Sequence, residues 1–205
     1  MSNIFRLWPF ILLITITACS SLKQPSPLPV DMQLTKAQRQ QQLNNISQWQ
    51  VTGKLAFITP EKRESANLFW QLNQKQKSQQ LTLTSYLGIN VLSLSSNNDY
   101  HTVEVDGEQY QGNDLEQLIY QLTQLNLPTQ AMQYWLKGLT WSEQDQISYD
   151  ANTGLPTQLL SYYNGRHWQI SFDNYQLYYQ LPMARKITIR QGQLTIKLLI
   201  NQWTF

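Results

Sequence analysis

Apolar residues recur along this chain at two spacings, and the change of spacing separates a helix from strands. Thr35, a residue type favoured at helix N-caps, precedes KAQRQQQLNNI, in which Ala37, Leu43 and Ile46 are available to a partner surface. From Trp49 apolar and polar residues alternate through WQVTGKLAF, which is typical of a half-buried strand. The pattern therefore predicts one helix followed by β-structure.

The alternating pattern returns several times before residue 112. Further strands are predicted over SANLFWQLN, QLTLTS, INVLSLS, YHTVEV and EQYQG. Asp106-Gly107, a dipeptide strongly favoured in hairpin turns, separates the last two of these segments. Five or six strands in meander order are thus indicated in the first half of the chain.

A pair of helices is predicted next. Asn113 is expected to begin the first one, with Glu116 completing a capping box. The apolar stripe of this helix consists of Leu115, Leu118, Ile119, Leu122 and Leu125. Pro128 interrupts the pattern, and TQAMQYWLKGL then predicts a second short helix that ends at Gly138.

Strand patterns resume over QISYD, TQLLSYYN, RHWQISF, YQLYYQL, KITIR and QLTIKLLI. Turn dipeptides such as Asn164-Gly165 and Gln191-Gly192 separate them. About eleven strands interrupted once by helices favour an antiparallel barrel or a strongly curled sheet. A closed barrel of that size would be too wide for its own side chains to fill, so the helices are candidates for a cover over a cavity. A β-sandwich with helices packed outside remains the alternative.

The N-terminus has the pattern of an export signal. Arg6 precedes LWPFILLITITA, an apolar run too short to span a bilayer but of the right length for a secretory signal. Ile16-Thr17-Ala18-Cys19 follows and resembles the lipobox of bacterial lipoproteins, in which the Cys carries the lipid. Under the bacterial sorting rule, Ser20 in place of Asp indicates the periplasmic face of the outer membrane. The alternative is that Cys19, the single cysteine, is an incidental thiol.

These features divide the chain into three segments. Residues 1–18 are predicted to be the lipoprotein signal peptide, and residues 19–36, which include Pro25, Pro27 and Pro29, a lipid-anchored flexible tether. Residues 37–205 are predicted to form one folded domain, because single β-domains of about 200 residues are ordinary.

Charge and motifs give little support to catalysis. Arg6 is the one charged side chain among the first 18 residues, so the remainder has 14 basic and 13 acidic groups, which gives no electrostatic case for nucleic acid. The two histidines, His101 and His167, belong to no metal-binding motif, and no nucleotide-binding loop occurs. We therefore expect no catalytic residue, metal or cofactor. Asp99 and His101, beside many serines, still leave a lipase-like triad open on residue types alone.

One predicted turn has an unusual composition. Tyr86-Leu87-Gly88 lies between two apolar runs, and Gly88 suits a tight turn, whereas turns normally present Asn, Asp, Gly or Pro to water. Leu87 could equally be tucked onto a neighbouring strand, since isolated exposed leucines are common.

Several segments together resemble the LolB family. They are WQVTGKLAF, NLFWQ, LTLTSYLG, LPTQAMQYWLKGL and ITIRQGQLTIKLLINQW, and they run in the family's order from roughly residue 37 to residue 205. The resemblance implies an unclosed antiparallel β-barrel whose concave apolar face, covered by helices, holds the acyl chains of a client lipoprotein delivered by a LolA-like periplasmic carrier. It further implies a monomer that transfers lipoproteins without enzymatic activity or ATP and inserts them into outer-membrane lipid.

The resemblance also assigns roles to residues. Leu87 matches the family's membrane-insertion loop, here Tyr86, Leu87 and Gly88, although Tyr86 and Thr140 stand where the family usually has Pro. The expected acyl-chain cavity consists of Trp49, Leu55, Phe57, Leu68, Trp70, Leu81, Leu83, Leu118, Leu122 and Trp135. A structural outer-membrane lipoprotein scaffold and an outer-membrane lipid hydrolase are the competing functions.

Overall fold

The computed structural model describes residues 26–27 and 34–205. The predicted signal peptide and Cys19 lie outside the described residues, as does most of the predicted tether. The helices are α1 (Lys36–Asn45), α2 (Leu115–Thr123) and α3 (Thr129–Trp135). The strands are β1 (Ser26–Pro27), β2 (Gln48–Ile58), β3 (Arg63–Asn73), β4 (Ser78–Thr84), β5 (Asn90–Asn97), β6 (Tyr100–Val105), β7 (Glu108–Gly112), β8 (Gln146–Tyr149), β9 (Pro156–Tyr163), β10 (Arg166–Tyr178), β11 (Leu181–Gln191) and β12 (Leu194–Thr204).

Eleven of these strands form one antiparallel sheet in the order β7-β6-β5-β4-β3-β2-β12-β11-β10-β9-β8. The strands at its two ends, β7 and β8, do not pair with each other in the described part of the chain, so the sheet stays unclosed. β1 pairs with the C-terminal end of β10, where Ser26 lies opposite Leu177. The predicted unclosed sheet of eleven strands with helices is confirmed, and the β-sandwich alternative is wrong.

One face of the sheet carries the core. Burial alternates along the long strands, so that Trp49, Leu68, Ile170 and Ile196 all lie on this side, which we call the inner face. The three helices pack their apolar sides against the inner face, because helices this short are stabilised mainly by tertiary packing. Within residues 26–27 and 34–205 no helix is both long and apolar enough to cross a membrane.

The structure confirms one predicted helix N-cap and corrects the other. Thr35 caps α1, and its hydroxyl accepts a hydrogen bond from the Gln38 backbone N–H at 3.2 Å. The N-cap of α2 is Asp114, whose carboxylate accepts from the Gln117 backbone N–H at 3.0 Å, and not Asn113. The predicted capping box is absent because the helix begins one residue later, so that Gln117 and not Glu116 is three residues after the N-cap.

The segment YQLYYQL is not a separate strand, contrary to the sequence prediction. It is divided between the end of β10 and the start of β11, which form one long hairpin. The turn falls at Tyr179-Gln180, with φ values of 51° and 69°. Neither residue is Gly or Asn, which are the usual residues at positive φ, so the sequence contains no signal for this turn.

Gly53 allows the two central strands to approach closely. It lies opposite Ile200 of β12, where the register shifts between Ile200 and Gln202. A Cβ atom at position 53 would overlap the carbonyl oxygen of Leu199. The glycine that interrupts the apolar row of β2 is therefore required by the backbone of its neighbour.

Candidate functional site

The strand residues expected to line a cavity lie together on the inner face. Val51 pairs with Trp70 and Trp70 pairs with Leu81, while Leu68 pairs with Leu83. Directly opposed residues in a sheet project to the same side. All seven predicted strand positions share this side: Trp49, Leu55, Phe57, Leu68, Trp70, Leu81 and Leu83.

The helical positions cover two adjoining parts of this face. Trp135 of α3 has no exposed surface, and its ring lies 5.8 Å from that of Trp168 and 6.3 Å from that of Tyr163. Leu118 and Leu122 of α2 belong instead to a second cluster around Leu94, Val103 and Ile119. Leu81, Leu92 and Leu127 touch both clusters, so the ten predicted residues form one apolar layer in two parts.

Tryptophans dominate the centre of the layer. The Trp49 ring lies 5.2 Å from Trp70 and 5.5 Å from Trp203, both in edge-to-face arrangements. Fourteen buried residues of β10 to β12 belong to the same core cluster but are absent from the predicted set, among them Trp168, Ile170, Ile187, Ile196 and Trp203. The alternating patterns of HWQISF and LTIKLLI contain the signal that could have identified most of them.

Glu116 fastens the helical cover to the sheet. Its carboxylate accepts hydrogen bonds from the Thr129 hydroxyl at 3.3 Å, the Tyr163 hydroxyl at 2.9 Å and the Asn164 side-chain amide at 2.8 Å. Burial, and then the bond to Glu116, raise the pKa of the Tyr163 phenol, which therefore remains a donor. One side chain thus joins α2, the start of α3 and the β9–β10 hairpin.

Two buried cations form a second set of polar contacts, which joins α1 to β11 and to the segment after α3. Arg39 of α1 donates to the carbonyl oxygens of Pro182 at 3.1 Å and Lys137 at 3.0 Å. Lys137 in turn donates from Nζ to the carbonyl oxygens of Leu43 and Ile46 at 3.3 and 3.4 Å. Desolvation lowers the pKa of Lys137 to about 8. Arg39 therefore holds α1 to β11 and to the segment after α3, and Lys137 connects that segment to the end of α1.

The apolar layer is closed in this conformation. Beneath the helices runs a groove of about 800 Å³ whose lining is largely polar and includes Gln79, Ser96, His101 and Glu116. Trp49, Leu68 and Trp135 do not line it. Acyl chains could therefore reach these residues only if the helical cover moved away from the sheet.

The loop between β4 and β5 projects its apolar side chains into solvent. Tyr86 is 92% exposed and Leu87 is 81% exposed, so the alternative that Leu87 is tucked onto a strand is wrong. Ile89 and Val91, at 64% and 44%, extend the exposed apolar surface. Neither residue was among the predicted loop residues, although the alternation Ile89-Asn90-Val91 beside the loop was a usable signal.

Hydrogen bonds to Ser85 hold this loop in shape without a proline. The Ser85 backbone N–H donates to the Ile89 carbonyl at 2.8 Å, and the Ser85 carbonyl accepts from the Gly88 N–H at 3.0 Å. The Asn67 side-chain amide of β3 donates to the same carbonyl at 3.1 Å. Gly88 has a φ of +80°, which a residue with a side chain rarely adopts.

The histidines have ordinary structural surroundings. His101 Nδ1 lies 2.8 Å from the hydroxyl of Ser96, and burial is the main cause that lowers the pKa of His101. Ser96 is itself buried and accepts from the Gln79 amide at 3.4 Å. The His167 ring rests on Tyr162, 5.0 Å away. Among the described residues no group of three His, Cys, Asp or Glu side chains could hold a metal ion.

Comparisons with known proteins agree with this geometry. A family model described as "Outer membrane lipoprotein LolB" matches residues 47–203. The chain is 34% identical to Outer-membrane lipoprotein LolB of Aeromonas salmonicida (strain A449), covering 100% of this chain and 98% of that protein. It is 33% identical to the protein of the same name from Tolumonas auensis, covering 93% and 92% of the two chains.

Two solved structures share the fold at low sequence identity. A LolA superfamily protein from Nitrosomonas europaea has a TM-score of 0.52 and 10% identity over 83% of this chain and 93% of that chain. A DUF1329 family protein from Desulfovibrio piger has a TM-score of 0.54 and 6% identity over 82% and 89%. Because the family model spans most of the chain and relatives match it nearly end to end, this chain belongs to the LolB family of outer membrane lipoproteins.

Proposed function

We propose that this chain is an outer-membrane acceptor of lipoproteins that takes them from a LolA-like periplasmic carrier and inserts them into the membrane. The observation that carries the proposal is the pairing of a covered apolar face with an exposed apolar loop in a member of the LolB family. The ten predicted residues, seven on the inner face and three on the helices that cover it, would contact the acyl chains once the helical cover opens. Tyr86, Leu87 and Gly88 would enter outer-membrane lipid.

The transfer needs no chemical step. Each CH₂ group held in water costs about 0.8 kcal/mol, so the acyl chains of one lipoprotein would cost tens of kcal/mol in free solution. The client must therefore pass directly from one apolar site to another. A difference in affinity between the carrier, the acceptor and the bilayer then drives it, and the acceptor acts as a monomer without ATP or enzymatic activity.

The anchor completes the proposal. Residues 1–18 are the signal peptide, Cys19 carries the lipid, and residues 19–36 connect it to the domain of residues 37–205. Two or three acyl chains on Cys19 would hold the chain on the periplasmic face of the outer membrane almost permanently.

The deciding experiment is a transfer assay with a carrier that is already loaded with a lipoprotein. Incubation with this chain should move the lipoprotein from the carrier to the chain, as followed by co-purification. A structural scaffold would leave the lipoprotein on the carrier, and that outcome would reject the proposal.

A further inference from the structure

Charge is distributed very unevenly over this sheet. Residues 78–136, which include β4 to β7 and α2, contain six acidic side chains and neither Lys nor Arg. Residues 151–205, which include β9 to β12, contain five basic side chains and one acidic side chain, Asp173. The net charge of the chain is near zero, although one part of the sheet is acidic and another part, the basic half, has an excess of basic side chains.

The basic half places four cations close together on the outer face, the side of the sheet opposite the inner face. Lys197 of β12 pairs with Ala56 on one side and with Thr188 on the other. Three of its four diagonal neighbours, two residues away on those strands, are cations, and such diagonal positions are about 7 to 8 Å apart. The four members of this outer-face cation cluster are Lys54, Lys186, Arg190 and Lys197, and all are exposed.

One carboxylate adjoins the cluster in the pairing register. Asp173, opposite Lys186, is the nearest acidic residue in the pairing register, but it forms no ion pair with it. Within the described residues the one ion pair found joins Lys62 to Glu64. Cations at diagonal positions repel one another across about 7 to 8 Å, so an anionic partner would reduce this repulsion.

The position of the cluster relative to the apolar loop identifies the partner. Thr84, the last residue of β4 before the loop, lies in the same cross-strand row as Lys54 and Lys186. Lys197 and Arg190 lie two and four residues further toward the loop end of the strands. Exposed apolar and cationic side chains at one end of a domain match the acyl and headgroup layers of a bilayer.

We propose that the outer-face cation cluster binds the phosphate groups of anionic phospholipids and tilts the domain so that Leu87 enters the membrane. The acidic turn after β6, with Asp106 and Glu108, would be repelled by the same surface, which sets the direction of the tilt. This inference rests on the proposed function, because the cation cluster would orient a loop that the proposed function places in the membrane.

The test uses the full lipidated chain reconstituted in vesicles. Cys19 is the single cysteine and would be acylated, so Leu87→Cys provides one site for an environment-sensitive fluorophore. Vesicles of phosphatidylcholine alone are compared with an equal mixture of phosphatidylcholine and phosphatidylglycerol. We expect the probe to report an apolar environment mainly in the mixture, and Lys186→Glu with Lys197→Glu to lower the inserted-to-solvated ratio by about 25-fold, about fivefold for each cation.

A matched control separates local charge from net charge. Lys75→Glu with Lys77→Glu makes the same change in net charge in the exposed turn at the opposite end of the strands, and should leave the signal unchanged. Equal insertion in both lipids, or equal loss in both double variants, would overturn the proposal. So would a loss confined to uptake from the loaded carrier, because the cluster would then bind a protein. Failure of uptake by the wild-type chain, with lipid dependence intact, would reject the proposed function alone.

Discussion

At the scale of single residues, the most informative side chains are those whose environment costs free energy. Burying a leucine side chain contributes about 1.5 to 3 kcal/mol, and Leu87 forgoes most of this in solution. Lys137 is the opposite case, a cation with almost no solvent contact. Both unfavourable environments occur at positions that matter for the proposed function. Leu87 lies at the tip of the loop, and Lys137 lies at the helical cover.

Replacing Leu87 with Glu should separate uptake from delivery. A carboxylate at the tip would resist entry into the bilayer, whereas the inner face would be unaffected. We expect the Leu87→Glu variant to accept a lipoprotein from the carrier but to deliver little of it to liposomes. Leu160→Glu, at an exposed leucine of β9, is the control and should deliver normally. Unchanged delivery by Leu87→Glu would disprove the insertion role of the loop.

Lys137 should make stability depend on pH. Its pKa is about 8 in the folded chain against an ordinary 10.5, so between these values the unfolded chain binds more protons. Stability should therefore rise with pH above 8, by about 2 kcal/mol between pH 7 and pH 9.5. Urea unfolding over this range measures the slope. Lys137→Met should flatten it, and the same slope in that variant would show another group to be responsible.

At the scale of elements, the cover depends on a few polar contacts between helices and strands. The α2 and α3 helices are short, and each buries only one side against the sheet. Such helices are held by tertiary contacts more than by their own propensity, and they are the elements expected to open first. Glu116 and Gly53 are two of the positions at which a single side chain, or its absence, controls how elements meet.

Removing the Glu116 carboxylate should loosen the cover. Glu116→Ala leaves the Thr129, Tyr163 and Asn164 donors without their shared acceptor and should cost about 1 to 3 kcal/mol. Hydrogen exchange should become faster in α2 and α3 than in the central strands. Gln117→Ala, on the exposed side of α2, serves as the control. Uniformly faster exchange over the whole sheet would contradict a local fastening.

A side chain at position 53 should disturb the sheet at its centre. In Gly53→Ala the added methyl group meets the backbone of Leu199, which cannot move without shifting β12. We expect a loss of at least about 2 kcal/mol in the free energy of unfolding, comparable to overpacking a core. Gly112→Ala, where an added Cβ meets open space, should change stability little. Similar unfolding midpoints for the two variants would refute the close approach.

At the scale of the whole molecule, the described residues form two apolar surfaces, the covered inner face and the exposed loop. The histidines contact a buried serine and a tyrosine ring, and neither arrangement resembles a reaction centre. The covered apolar face and the exposed loop lie on the same sheet, so uptake and delivery could be coupled by movement of the cover. A protein of this kind would work through relative affinities alone.

Lipoprotein transfer should therefore survive the loss of both histidines. His101→Ala combined with His167→Ala removes every imidazole from the chain. The expected result is transfer from the carrier at an undiminished rate, measured after circular dichroism has verified folding. Loss of transfer in a folded double variant would favour the hydrolase alternative.

The sequence alone determined the strand and helix segments, the loop with apolar residues and the candidate residues of the inner face. Alternation with a period of two assigns residues to the same side of a strand, which is why Trp49, Leu68 and Trp70 were grouped correctly. It failed at Tyr179-Gln180, where the turn is imposed by pairing of β10 with β11 and no turn-forming residue is present. Local patterns cannot reveal a turn that only long-range pairing stabilises.

The tertiary structure decided what these residues do to one another. Strand order paired β2 with the last strand, β12, and so added Trp203 to a layer begun by Trp49. The fold also turned Glu116 from the expected partner in a capping box into a contact between helices and sheet, and it placed three cations distant in sequence around Lys197. Such contacts join residues far apart in the sequence, and their geometry exists only after the sheet has formed.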